Sequence, residues 1–506
     1  MFSRLLSLLK GVIRKLIPYK DIEQVEHIES PLSPEMINAL DEWYLLYLNK
    51  APWLKPNTVK SRNLPAFISS ELARSITLEL EWNITGKDAS GNTQDADGKE
   101  LSNPRSEYLK TEFEKCIEKL REKLEQGLAS GGMTIRPYPK DDGHIYFDWT
   151  MAWGLYPLSF GDDGQLTDVI FRDTYTEGKT VYTRLERHSV DGENVKITQR
   201  AFKSNMRDTI GVEVPLSSVP QWSSLEPEAT VTAAEGQLFG WYKTAAANCI
   251  DIDSPMGVSC YAKAVDVIKE ADMQYSRLLW EYEGSELAID VDPMVLKPKK
   301  DGKGNEMPRL NERLFRGVDR GTDDSYDVFS PTIRDASLIS GLNKLYESVE
   351  DLCGLSRGTI SDANVDARTA TELKINRQRS YATVSDNQKA LEHCLRDVIR
   401  AMDKFATIYN LAPEGEYDVS FSWDDSIITD TEQQTNERMM LLNAGVVSKA
   451  EMREWYFGET KAQAKAAIQA ISDEQNEGLE SLLPSLEKQE QIKQAQKDSS
   501  AAGASS

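Results

Sequence analysis

The sequence is poor in the residues that most catalytic and metal chemistry needs. It has four histidines, His27, His144, His188 and His393, none at metal-ligand spacing from another or from a cysteine. Its five cysteines, Cys116, Cys249, Cys260, Cys353 and Cys394, lie far apart and form no C-x-x-C pair. That excludes a disulfide framework and reads as assembly in a reducing compartment. No apolar run reaches the ~20 residues that cross a bilayer. No G-x-S-x-G or family-specific cysteine signature occurs. Gly178-Lys179-Thr180 ends like a phosphate-binding loop, but Asp173 stands where the first glycine belongs and the segment reads as a hairpin. Asp424-Asp425 would sit side by side on a strand and point to opposite faces, a poor catalytic couple. Aligning Asp95, Asp97 and Gly98 with a calcium loop puts Thr93 first and Pro104 in the place of the bidentate Glu. The expectation is a structural protein with no cofactor, no metal and no catalytic residues.

Positive charge is scarce as well. Lys and Arg total 59 against 82 Asp and Glu, a net charge of −23. A chain so acidic does not grip nucleic acid over most of its surface, because tight binding needs many cations facing phosphates. It is compatible with DNA that merely passes through. The start, MFSRLLSLLKGVIRKLIPYK, is a local exception: Arg4, Lys10, Arg14 and Lys15 interrupt leucines at helical spacing, with no small-residue cleavage site. Residues 1–24 therefore read as a basic amphipathic segment, not a signal peptide. Such a segment lies on a membrane or docks on a partner, and docking is the preferred reading.

At about 150 residues per domain, 506 residues suit roughly three domains. Residues 33–83 read as helix, broken at Pro52–Leu54, and 86–100 as a polar loop. Helix returns over 105–128 and ends at the GLASGG run. From Met133 to about Ser204 the period switches to two. YFDWTMAWGLYPLSF, TDVIFRDTYTEG, KTVYTRLERHSV and NVKITQRAFK read as consecutive antiparallel strands, with Glu177-Gly178 and Asp191-Gly192 as hairpin turns. Three long helical stripes follow. Tyr261, Ala264, Val265, Ile268, Tyr275, Leu278, Leu279 and Tyr282 predict a helix over Ser259–Leu287, about 43 Å long. Leu338, Ile339, Leu342, Leu345, Tyr346, Val349 and Leu352 predict another over Asp335–Cys353. Leu391, Leu395, Val398, Met402, Phe405 and Ile408 predict a third over about Ala370–Tyr409. A turn-rich module, Asp292–Ser330, separates the first two helices, and Gly354–Thr369 separates the second from the third. YDVSFSW at Tyr417–Trp423 predicts a strand, followed by helices near Thr431–Asn443, Lys449–Phe457 and Lys461–Ile471. Residues 485–506 are polar and read as a disordered tail.

This order, with its motifs, resembles the portal proteins of tailed bacteriophages, in particular the branch found in siphophages of Gram-positive hosts. FSPTIR at Phe329–Arg334 enters the second helix, GLSRGTISD at Gly354–Asp362 leaves it, and ARTATEL at Ala367–Leu373 opens the third. FSWDDSII at Phe421–Ile428 and GVVSKAEMREWYFGET at Gly445–Thr460 complete the pattern. WYLLYLNKAPWL and SPMGVSCYAKAVDVIKEAD agree with it.

The resemblance implies an α+β portal fold, mainly helical, with an inserted β-rich wing module over about 133–204 and a small α/β clip. It implies a wing over 25–258, stem helices over 259–291 and 331–353, and a clip over 292–330. A tunnel loop would occupy 354–369, a long wing helix and strand 370–430, and a crown 431–484. It further implies a ring of about twelve copies at one capsid vertex. The ring would be assembled in the bacterial host cytoplasm and would conduct double-stranded DNA during packaging and ejection. It would act as the assembly nucleus of the procapsid. Its partners would be the terminase large subunit, which must supply the ATPase, head completion or adaptor proteins, and the scaffolding and major capsid proteins. No membrane contact is implied.

Candidate DNA-channel residues in the loop are Arg357, Asn364, Arg368 and Thr369. The arginines there touch phosphate or pair with Glu350, Asp351 or Asp362. Candidate clip cations are Lys297, Lys299, Lys300, Lys303 and Arg309, within a stretch that also carries Arg313, Arg316 and Arg320. The competing readings are a minor head or adaptor protein and a DNA-processing enzyme built on Asp424 and Asp425.

Overall fold

The computed structural model describes residues 19–55, 58–88, 90–94, 99–206, 209–291, 314–317, 326–362, 370–423, 438–458, 461 and 463–473, without the side chains of 326 and 370–379. The chain divides into two compact units, Met1–Asp424 and Asp425–Ser506. In the first, helices α1 (Tyr19–Glu26), α2 (Pro34–Tyr47) and α3 (Leu64–Thr77) precede strand β1 (Leu80–Gly86) and helix α4 (Pro104–Ser130). Strands β2 (Gly132–Pro139), β3 (Ile145–Met151), β4 (Leu155–Phe160), β5 (Leu166–Glu177), β6 (Thr180–Asp191) and β7 (Asn194–Ser204) follow. Then come β8 (Val212–Val214), β9 (Glu228–Val231), β10 (Gly240–Lys243), helix α5 (Val265–Gly284), and β11 (Ala288–Val291), β12 (Phe315–Gly317) and β13 (Tyr326–Phe329). Helices α6 (Asp335–Cys353) and α7 (Ala370–Ile408) and strand β14 (Tyr417–Trp423) complete the unit. The second unit contains α8 (Lys449–Phe457), helical residues 438–443 and 463–473, and a stack of Arg438 over the Trp455 ring at 4.5 Å.

Local chemistry explains where the helices begin and end. Ser33 caps α2 by accepting the Met36 N–H at 3.3 Å, with Pro34 in the first turn, where its missing N–H costs nothing. Asn103 and Ser106 form a reciprocal capping box at the start of α4. That helix stops at Gly131, which is left-handed at φ +90° and packs so closely on Gly257 that a Cβ on it would lie 2.6 Å from the Gly257 carbonyl oxygen.

The structure departs from the sequence reading at five places. Residues 80–83, expected at the end of a helical stretch, and the following residues up to Gly86, expected to open a loop, form β1, whose partner is β14, with Leu80 opposite Trp423 and Gly86 opposite Tyr417. YFDWTMAWGLYPLSF is two strands, because a 3-10 turn at Ala152–Gly154 breaks it. β3 then joins the three-stranded sheet β10-β2-β3, and β4 opens the sheet β4-β5-β6-β7-β8, to which β9 adds on β7. The hairpin turns fall one residue later than expected, at Gly178-Lys179 and Gly192-Glu193, where the glycines supply φ of +62° and +63°. The first long helix is shorter than its stripe: α5 spans 20 residues, preceded by a 3-10 turn at Ala262–Ala264. Beyond it Ala288–Val291, expected within a helical segment, is the central strand of the compact sheet β12-β11-β13.

The main core runs through α2, α3, α4, β2, β3, β10, α5, α6 and α7. On α4 it takes Leu109, Phe113, Cys116, Leu120, Leu124 and Leu128, and on α7 Leu391, Cys394, Leu395, Val398, Ile399 and Met402, all essentially without solvent contact. Each helix thus buries one 3.6-period stripe. Between α5 and α6 the seam is Ile268, Ala271 and Leu278 against Leu342, Tyr346 and Val349.

A second buried region is held by charge. Arg136 of β2 donates to Glu186 of β6 at 2.8 Å and to Asp148 of β3 at 2.6 Å, with its guanidinium 4.3 Å from the Phe171 ring centroid. Arg184 meets Glu186 at 3.0 Å and also Asp173. His188 Nε2 lies 2.7 Å from Glu186. Burial pushes the Glu186 carboxyl up, but Arg136, His188 and Arg184 outweigh it and hold the group well below the usual carboxylate range.

Candidate functional site: the root of the loop after α6

Helix α6 stops at Gly354, in the left-handed conformation at φ +68°. Glycine is required there twice over, since a Cβ would also sit 2.3 Å from the Thr383 hydroxyl of α7. Leu355 then folds back into the core, and its N–H bonds the Glu350 carbonyl at 2.9 Å.

The following residues are gathered onto one side chain. Glu350, in the last turn of α6, has no solvent exposure. Its Oε1 accepts the N–H groups of Gly358 at 3.1 Å, Ile360 at 2.6 Å and Ser361 at 2.9 Å. Its Oε2 accepts the Ser361 hydroxyl at 2.7 Å. A buried carboxylate is tolerated only with such a set of donors. Asn343, two turns earlier, accepts the Asp362 N–H at 2.7 Å. Residues 354–362 are therefore a folded root attached to α6.

Of the candidate loop residues, the structure describes Arg357. Its guanidinium pairs with Asp351 at 2.7 Å and is half exposed. Of the expected partners, Asp351 takes the arginine while Glu350 goes to backbone. Asn364, Arg368 and Thr369 lie outside the described residues, as do Lys297, Lys299, Lys300, Lys303, Arg309, Arg313 and Arg320. Arg316 is described: it pairs with Asp290 at 2.8 Å and stacks 4.5 Å over Phe329. Asp95, Asp97, Gly98, Asp424 and Asp425 are also outside the described residues. Gly178-Lys179-Thr180 is the tip of a hairpin. Among the described residues no three His, Cys, Asp or Glu side chains converge as a metal site.

Glu350, expected as a partner of the loop arginines, instead turns inward beside Val349 and takes loop backbone and the Ser361 hydroxyl. A second acid carried no signal in the sequence. Glu281, at the end of α5, accepts the Arg334 guanidinium at 3.1 and 2.8 Å and the Arg334 N–H at 3.2 Å. That clasp joins the chain segments on either side of β11–β13.

The decisive observation is a match along nearly the whole chain: the profile of the family described as phage portal protein, SPP1 Gp6-like, matches residues 33–481. The chain belongs to this portal family. No curated protein sequence matches it significantly. Portal proteins are structural proteins of the phage particle at a capsid vertex, and the family implies in general terms a homo-oligomeric ring; the α+β fold of this chain agrees with the family. No described helix is long and apolar enough to cross a membrane.

Proposed function

We propose that this portal protein forms a ring of about twelve copies that conducts viral DNA into and out of the capsid, docks the terminase and later the head completion proteins, and nucleates procapsid assembly. The observation that carries the reading is the family match over 33–481, together with the order helix, projecting module, helix, anchored loop and long helix. In this reading α5 and α6 are the stem helices. Residues 292–330, which carry β12 and β13, are the clip, with its cations toward the terminase. Residues 354–369 are the tunnel loop beside the duplex, α7 crosses the wing, and residues 431–484 build the crown. Heterologous contacts that close on themselves give such a ring. An acidic conduit suits passage, since each phosphate contact must be released as DNA moves.

Negative-stain imaging and mass photometry of the full chain test the reading. The expected result is closed rings with a hole that admits B-form DNA. A monomer at micromolar concentration across several salts would overturn it.

A further inference from the structure

We infer that Asp351 acts as an internal stand-in for phosphate, occupying the half-exposed Arg357 guanidinium at the loop root so that passing DNA is not gripped there. The inference rests on the portal reading above, in which this loop lies beside the duplex.

The loop root carries the donor set from which phosphate sites are made. Three backbone N–H groups within four residues, at Gly358, Ile360 and Ser361, meet one carboxylate oxygen of Glu350, and the Ser361 hydroxyl meets the other. One residue before them stands a guanidinium, Arg357. Clustered backbone N–H groups and a planar guanidinium are the donors that recognise phosphate oxygens. Here both are filled from the same helical turn. Successive helix positions lie about 100° apart, so Glu350 turns inward to take the backbone donors while Asp351 stays at the surface and takes Arg357. A carboxylate offers the same paired oxygens as a phosphate, at fixed position and without being carried along by the DNA.

The consequence is electrostatic. Each phosphate contact adds about 0.9 to the steepness with which affinity falls with salt. In a ring an uncovered arginine is repeated once per subunit around a single duplex, and such contacts reinforce one another. A conduit whose loops each held a phosphate would stall. Covering the donors with the chain's own acids leaves the loop folded and non-adhesive.

The test is binding of a short fluorescent DNA duplex to the full-length protein by anisotropy at several salt concentrations, with ring stoichiometry recorded for each variant. Asp351→Asn should bind severalfold more tightly than the wild type, with a salt slope steeper by about 0.9 per phosphate newly contacted. Arg357→Ala should bind no more weakly than the wild type, and Asp351→Asn with Arg357→Ala should return to the wild-type affinity. An Asp351→Asn ring with wild-type affinity and slope overturns the inference. So does weaker binding by Arg357→Ala alone, which would mean that Arg357 already holds DNA. Failure of the portal reading is seen separately, as the absence of rings in the wild-type protein.

Discussion

The seam of α4 and α7 is dry and the junction of β2, β3 and β6 is mostly buried with its acids reaching solvent, and opposite forces hold them. In the seam, Phe113 meets Trp82 and Phe421 edge to face, at centroid distances of 5.0 and 6.4 Å, among leucines. At the junction, Arg136 is shared between Glu186 and Asp148, with Arg184 and His188 closing the group. Apolar contacts are indifferent to pH and nearly so to salt. A buried ion group depends on every member: its net gain over water is small, but removing one member strands the others. The seam is thus the tolerant region and the junction the brittle one.

The largest expected effect is in the seam. Phe113→Ala should lower stability by about 4 kcal/mol, through lost transfer energy and the cavity left behind. The check is the denaturant midpoint, and the loss should be the same at pH 5 and pH 8. Arg136→Met should cost about 3 kcal/mol, because Glu186 loses its main counter-charge while Arg184 and His188 remain. A neutral result would show that the junction relaxes as freely as an apolar core.

Acid should separate the two regions without any mutation. Glu186 is held below the usual carboxylate range in the folded state. Its contribution is therefore complete above the unfolded value of about 4.3 and drains away as pH falls from there toward its lowered folded value. Hydrogen exchange between pH 6 and pH 3 should show β5 and β6 opening before α4 and α7. Simultaneous opening would mean that the junction charges contribute nothing. The smallest effect belongs to the surface. Lys344→Ala breaks an i,i+3 pair with Glu347 on the exposed side of α6 and should shift stability by less than about 0.5 kcal/mol.

The same contrast decides what could be read from sequence. The apolar stripe of α6 marks a helix whose bounds, Asp335–Cys353, are those observed, because one face packs on a neighbour and Gly354 stops it. The stripe of α5 overran at its start because Tyr261 and Ala264 are buried from a 3-10 turn, and burial alone carries no helical period. β1 was missed because its partner lies more than 300 residues away, and a short run such as LEWNI fits either period until that partner is known. At the loop root, Arg357 and three acids were visible as a set, but which acid took which donor depends on helix phase and on the turn at Gly354. Charge pairing across β2, β3 and β6 was invisible for the same reason as β1: it is a product of register between distant strands.

The distribution of thiols has a practical consequence. Cys116, Cys353 and Cys394 are buried, and Cys260 lies against Ser69 with burial pushing its thiol up to about 12. Cys249 stands on the surface. Reactivity toward maleimides follows exposed thiolate, so a dye should enter once per chain without any engineered cysteine. Stepwise photobleaching of single labelled particles would then count the copies in an assembly directly, using a native surface thiol.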